Sequence, residues 1–328
     1  MKIFVTGADG FIGSHLVERL VKNKHKVTAL CLYNTNNSIG SMTDIKKNIL
    51  KKIKIVFGDI RDLSLINNIV KKNDLVINLA ALISIPYSYV NPNSYVTTNI
   101  NGTLNILEAC RINNKRLIHT STSEIYGNAK KFPISEEEMP LSQSPYAATK
   151  IAGDQLALSY FKSFNLPITI VRPFNTFGPR QSARAIIPTI ISQALKRDKI
   201  KLGFVNTKRN FNYIDTTIDG YIAAIKAKKG IGEIINLGSD LEVSIKDLVK
   251  IISKGLKKKL LIEVDKKRIR PKKSEIFRLV ADSKKAKKLL NWKTKMNKKY
   301  FERSIKKTLD WYIHNTNKNQ INDKIYNI

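Results

Sequence analysis

Lys2-Ile3-Phe4-Val5-Thr6-Gly7-Ala8-Asp9-Gly10-Phe11-Ile12-Gly13 runs from a short apolar strand through a glycine-punctuated turn into the start of a helix. In such a turn Gly7 permits the tight bend and Gly10 lets the backbone approach a pyrophosphate. Gly13 allows helix and strand to pack closely while the helix N-terminus faces the anion. Three nearby glycines say little alone; between the first strand and first helix of an alternating pattern they point to dinucleotide binding. Working outward, that alternation is present. Residues 2–6, 26–30, 54–57, 75–78, 116–120 and 168–172 read as six short strands, and 13–23, 63–71, 94–113 and 146–164 carry apolar residues at helical spacing. Strands alternating with helices imply an α/β chain with a doubly wound parallel sheet.

Beyond Pro173 the rhythm breaks into Gly/Pro-rich loops and shorter elements, with helices expected at 186–197, 244–254 and 300–312. The expected division is 1–172 for a Rossmann-type, NAD(P)-binding domain carrying the catalytic residues, 173–314 for a smaller α/β substrate lobe, and 315–328 for a frayed polar tail. The chain has 328 residues, is 42% hydrophobic and contains two cysteines, Cys31 and Cys110. That composition excludes collagenous, disordered and disulfide-stapled classes, and two cysteines make no zinc ligand set, so no metal is expected. No apolar run approaches the ~20 residues of a membrane span, and no leader precedes the first strand, so the expected location is cytoplasmic. The formal charge of +32 suggests a polyanionic partner. Against nucleic acid, the lysines are spread along the whole chain beside abundant asparagine and isoleucine, the residues an AT-rich genome favours, and the lysine runs lack interleaved aromatics for base stacking.

Tyr146-Ala147-Ala148-Thr149-Lys150 puts a phenol and an ammonium one helical turn apart on one face. The positive charge is expected to lower the Tyr146 pKa so that the phenol takes a proton from a substrate hydroxyl as hydride leaves the same carbon. The fifth strand runs into Ser121-Thr122-Ser123-Glu124-Ile125-Tyr126-Gly127. Thr122 can bond the same hydroxyl, and Glu124 is the discriminating residue, because a carboxylate here can remove a proton alpha to a newly formed ketone. An NAD site usually has Asp or Glu at the end of the second strand to bond the ribose. This chain has Cys31-Leu32-Tyr33-Asn34 there and no arginine for a 2′-phosphate, so Asn34, Asn36 or Ser38 is left to bond the ribose and NAD versus NADP stays open. Gly58-Asp59-Ile60 follows the third strand, and Asn78-Leu79-Ala80-Ala81 ends the fourth with small residues suited to a backbone lying against a cofactor.

With these pieces in place the sequence resembles the nucleotide-sugar 4,6-dehydratases of the extended short-chain dehydrogenase/reductase family, from Met1 to about Trp311. The stretches that carry the resemblance include Ala80-Ala81-Leu82-Ile83-Ser84-Ile85-Pro86-Tyr87-Ser88, Ser142-Gln143-Ser144-Pro145-Tyr146 and Arg172-Pro173-Phe174-Asn175-Thr176-Phe177-Gly178-Pro179-Arg180-Gln181-Ser182-Ala183-Arg184. They look most like the branch associated with legionaminic acid biosynthesis, which implies GDP-N-acetylglucosamine, or its UDP counterpart, as substrate. The resemblance implies Thr122, Ser123, Glu124, Tyr146 and Lys150 as the catalytic set. It implies Gly7, Gly10, Phe11, Ile12, Gly13, Asn34, Asp59, Ile60, Leu79, Ala80 and Ala81, with Tyr146 and Lys150, as cofactor contacts, Asp59 at the adenine edge. Substrate contacts are expected from Ser84, Asn99, Asn175, Arg184, Arg209 and Arg270, Asn99 supporting the active-site end of its helix and Asn175, Arg209 and Arg270 holding the diphosphate. Ser123 departs from the many hexose dehydratases that have Asp at this place, so Glu124 is expected to serve as base at C5 and then as acid at C6. UDP-glucuronate decarboxylation and 4-epimerisation are the competing reactions. A homodimer is expected from apolar residues outside the sheet-facing stripes of two helices, Ile106 and Cys110 on one, Leu158 and Phe161 on the other.

Overall fold

The computed structural model describes residues 1–315. Strands β1 (Lys2–Thr6), β2 (Lys26–Leu32), β3 (Ile53–Gly58), β4 (Leu75–Asn78), β5 (Arg116–Thr120) and β6 (Ile168–Pro173) join Ile234–Leu237 in one seven-stranded sheet. Its order is Ile234–Leu237, β6, β5, β4, β1, β2, β3, with every pairing parallel. The chain therefore starts in the middle, winds outward through β2 and β3, and crosses to the other side of β1 with β4. The carboxyl ends of β1 and β4 are therefore the switch point at which such sheets bind ligands. Helices cover both faces, so β1 is apolar on both: Phe4 enters one core cluster, Ile3 and Val5 the other, and all three are fully buried.

Six strands lie where the alternation placed them, but the seventh returns from beyond residue 173. Helix Ile214–Lys226 also comes back against the first helix, Phe11–Lys22, where Arg19 pairs with Asp219 at 2.7 Å. A clean division at 172/173 thus omits part of the sheet. The four-residue strand between Gly232 and Gly238 is too short to show a period, and only pairing with β6 gives it a place. The second lobe is built on Lys208–Tyr213, which pairs with Glu242–Ser244, Arg278–Leu279 and Asn175–Phe177, and on a separate pair, Lys199–Leu202 with Leu261–Val264.

Two expected helices differ in instructive ways. The span 94–113 is three pieces: a turn Pro92–Tyr95, a π-helical Val96–Asn101 and an α-helix Gly102–Ile112. The wider turn accompanies Asn99, whose side chain bonds the backbone of Leu82 and the Thr149 hydroxyl. Helix Pro145–Phe164 starts sharply because Ser144 accepts the Ala147 amide and Pro145 sits in the first turn. Ile106 and Cys110, expected to face a partner subunit, are fully buried in the chain's own core, and Phe161 packs over Gly232. The large apolar side chains exposed along those spans are Val96, Leu104, Ile112 and Phe164. The tail expected at 315–328 lies, beyond Asn315, outside the described residues, among which no helix is long and apolar enough to cross a membrane.

Candidate active site

The glycine turn has the geometry its residues demand. Gly7 adopts a φ of +61°, and a Cβ there would lie 2.9 Å from the Ala80 backbone; one at Gly13 would lie 2.1 Å from the Gly7 carbonyl oxygen. At Gly10 a Cβ would meet only that oxygen, at 3.3 Å, and would otherwise fill open space before helix Phe11–Lys22, which has no side-chain cap. An uncapped helix N-terminus behind a Cβ-sized space fits a pyrophosphate. Phe11 and Ile12 form its first turn, half-buried. Sequence reasoning missed Thr6, a buried polar residue at a strand end. Its hydroxyl donates to Asn78 Oδ1 at 2.7 Å and accepts the Leu79 and Ala80 amides, clamping β1 to the segment Leu79, Ala80, Ala81.

On the adenosine side the three expected contacts have partners within the chain. Both Asn34 amide hydrogens go to the Leu32 and Ser38 carbonyls and its oxygen accepts the Ser38 amide, so Asn34 closes its own loop. Ile60 is turned into the core against Gly102, and its carbonyl accepts from Asn105. Arg61 grips the Asp59 carboxylate at 2.6 Å and holds its pKa below the usual value.

Tyr146, Lys150 and Asp154 stand one turn apart on helix Pro145–Phe164, all nearly buried. Lys150 donates to the Thr120 carbonyl at 2.6 Å; burial lowers its pKa to about 8 against the opposing charge of Asp154. The Tyr146 phenol is raised, not lowered: burial dominates, the hydrogen bond with Thr122 offsets part of it, and Glu124 and Asp154 add negative charge. Lys150 does not lower the phenol as expected, because its ammonium is turned to Thr120. Thr122 also caps the short helix Ser123–Tyr126 by accepting the Glu124 amide. Ser123 is buried there, while Glu124 reaches the Nη1 of Arg270 at 3.3 Å.

Arg270 and Glu124 meet across the two lobes, a pairing no local pattern reveals. Arg209 donates to the Lys208 and Ile276 carbonyls and, with Glu275, lies within electrostatic reach of both. Glu275, a buried carboxylate, was not anticipated. Asn175 is half-buried with its Nδ2 unpartnered, an orphaned donor that suits an anionic ligand. The Ser84 hydroxyl caps nothing, its carbonyl accepts from Tyr95, and exposed Arg184 acts on that phenol through its charge. Asn99 is different: 2% exposed and fully engaged with Leu82 and Thr149, it supports the site from beneath and does not face a substrate.

A family model described as GDP-mannose 4,6 dehydratase matches residues 4–308. The chain belongs to that family. Within it, the chain is 34% identical over 261 residues to a UDP-N-acetyl-alpha-D-glucosaminuronate decarboxylase of Bacillus cytotoxicus, covering 76% of this chain and 79% of that one. Its fold matches the UDP-glucuronic acid 4-epimerase of Bacillus cereus, solved with UDP-glucuronic acid and NAD, at a TM-score of 0.87 and 31% identity, over 96% of this chain and 99% of that one. It also matches the dTDP-glucose 4,6-dehydratase DesIV of Streptomyces venezuelae, solved with NAD, at 0.85 and 26% identity, over 97% and 98%. The chain is an extended short-chain dehydrogenase/reductase whose relatives in the GDP-mannose 4,6 dehydratase family are nucleotide-sugar dehydratases, epimerases and decarboxylases.

Proposed function

We propose that this chain is an NAD-dependent nucleotide-sugar 4,6-dehydratase that converts GDP- or UDP-N-acetylglucosamine to the 4-keto-6-deoxy sugar, in the branch associated with legionaminic acid biosynthesis, as a cytoplasmic homodimer. The observation that carries the reading is Glu124, a carboxylate 13% exposed, close enough to Tyr146 to act on its phenol. Oxidation at C4 alone needs no such group. The glycine cradle and the clamped Leu79-Ala80-Ala81 segment would hold NAD, which when bound supplies a reversible hydride acceptor. Tyr146, hydrogen-bonded with Thr122, takes the C4 hydroxyl proton, and Lys150, one turn further along the helix, would donate to the bound dinucleotide. With C4 a ketone the C5 proton becomes acidic; Glu124 removes it and then, protonated, gives it to the C6 hydroxyl as water departs, with buried Ser123 beside it; the hydride taken from C4 would return to C6 and a solvent proton to C5, which gives the 4-keto-6-deoxy sugar. Arg209, Arg270 and Asn175 hold the diphosphate, and Ser84 and Arg184 the sugar side.

Incubation with NAD and each nucleotide sugar, read by mass spectrometry, tests this. Loss of one water from GDP- or UDP-N-acetylglucosamine is expected. Loss of carbon dioxide from UDP-glucuronate, or a product of unchanged mass with inverted C4, would replace the reading with decarboxylation or epimerisation.

A further inference from the structure

The second strand ends without the acidic residue that usually reads the adenosine ribose, yet a carboxylate stands at that place. It comes from the glycine turn. Asp9 Oδ2 accepts the Leu32 amide at 3.1 Å, at the last residue of β2. The loop that follows folds onto Asp9: the Ser41 amide donates to its carbonyl at 2.8 Å, and a Cβ on Gly40 would lie 2.5 Å from that oxygen. Leu32 and Tyr33, beside it, are 59% and 67% exposed, an apolar shelf open to a ligand.

Asp9 is half-buried, and burial raises its pKa, with hydrogen bonds to backbone amides opposing the rise. Among the described residues no cation contributes, in a chain with 58 Lys and Arg against 26 Asp and Glu. A partly desolvated carboxylate that has backbone amides but no cation beside it costs stability unless a ligand uses it. The chemistry that suits it is a vicinal diol, two hydroxyl donors for an acceptor-only group. A 2′-phosphate would put a second anion against it in a site of reduced dielectric. Arg180, whose carbonyl meets Ser41 in this loop, has Nη2 committed to Glu18 and the Asp44 carbonyl, while its Nη1 is buried without a hydrogen-bond partner.

We propose that Asp9, projecting from the glycine turn to the end of β2, takes the place of the missing strand-end carboxylate, bonding the adenosine ribose of NAD and excluding NADP. This rests on the dinucleotide reading of the cradle and decides which dinucleotide it holds. Calorimetric titration of the full chain with NAD and with NADP tests it without reference to turnover. The wild type should prefer NAD by about 100-fold or more, in line with the several kcal/mol that a like-charge contact costs. Asp9→Asn keeps an oxygen for the Leu32 amide and should reduce the preference to below about 10-fold, NAD weakening and NADP gaining. Asp9→Ser, which removes the carboxylate differently, should move the ratio the same way and serves if the Asn variant does not fold. Equal wild-type affinity for both dinucleotides, or an unchanged ratio in a folded variant, would overturn the assignment alone. Failure of the wild type to bind either would overturn it together with the cofactor reading.

Discussion

Asp154, one helical turn beyond Lys150, makes the chemistry of the Tyr146 face depend on a residue that touches no substrate. Its Oδ2 accepts from Ser121 at 2.8 Å and from Arg172 at 2.9 Å, with His119, held neutral by burial, beside it. Lys150 is charged below its pKa of about 8, so rising pH removes the ammonium that would hold the dinucleotide beside Tyr146, and kcat/KM should fall above about 8. Asp154 opposes the lowering, so Asp154→Asn should move that basic limb to lower pH. The same change leaves Arg172 buried without its partner and should cost about 3–5 kcal/mol in a urea unfolding curve. A pH profile unchanged in a folded variant would remove Asp154 from the account. Tyr146 and Glu124 separate differently. Tyr146→Phe should abolish dehydration and C5 hydrogen exchange with solvent, because C5 is acidic only after C4 is oxidised. Glu124→Gln leaves phenol and lysine in place, so dehydration should drop by about 10²- to 10⁴-fold while reduced cofactor accumulates in the absorbance spectrum. Near-normal turnover by this variant would move the base to another residue.

At the scale of elements, the glycine turn predicts a split between stability and binding. A methyl at Gly13 collides with the Gly7 carbonyl at 2.1 Å, and the neighbouring atoms are backbone that cannot step aside. Gly13→Ala should therefore cost about 1–3 kcal/mol and lose the dinucleotide. At Gly10 the only near atom is at 3.3 Å, so Gly10→Ala should unfold close to the wild-type temperature while NAD affinity falls, because the methyl fills the space before the helix. Equal losses of stability in both variants would contradict this geometry. These elements were legible in the sequence because their signals are local: apolar runs between glycines for β1 to β6, and Ser144-Pro145 opening the helix that carries Tyr146 and Lys150. What was not legible depends on contacts between distant segments. Ile234–Leu237 is a strand only beside β6, the π-helical turn exists around Asn99 and its bonds to Leu82 and Thr149, and Ile60 turns inward because Gly102 leaves it room. The Glu124–Arg270 pair joins residues 146 positions apart, and no period or spacing marks it.

For the whole molecule, assembly and charge are the properties left to argue. Leu104, Ile112 and Phe164 are exposed beside the Glu108–Arg111 pair, and the Arg111 guanidinium lies over the Phe164 ring. If this is the face that joins two copies, Phe164→Asp should convert a dimer to a monomer by light scattering at micromolar concentration; a monomeric wild type would end the dimer reading. The charge acts elsewhere. A cleft of about 820 Å³ at the amino-terminal ends of β1 to β3 is lined by Lys2, Lys24, Lys26, Lys52, Lys54 and Lys72 with no Asp or Glu, at the end of the sheet opposite the Tyr146 site. Its lysines are exposed, so their field is screened beyond roughly 8 Å at physiological ionic strength. Polyanions should therefore bind at low salt and be released steeply as salt rises, log affinity falling linearly with log salt. Because the two ends are separate, heparin added at low salt should leave turnover of the nucleotide sugar unchanged even while it is bound. A mobility shift with DNA that persists at physiological salt, in a chain that takes up no dinucleotide, would instead make the basic surface the working part of the molecule and the Tyr146 site a relic.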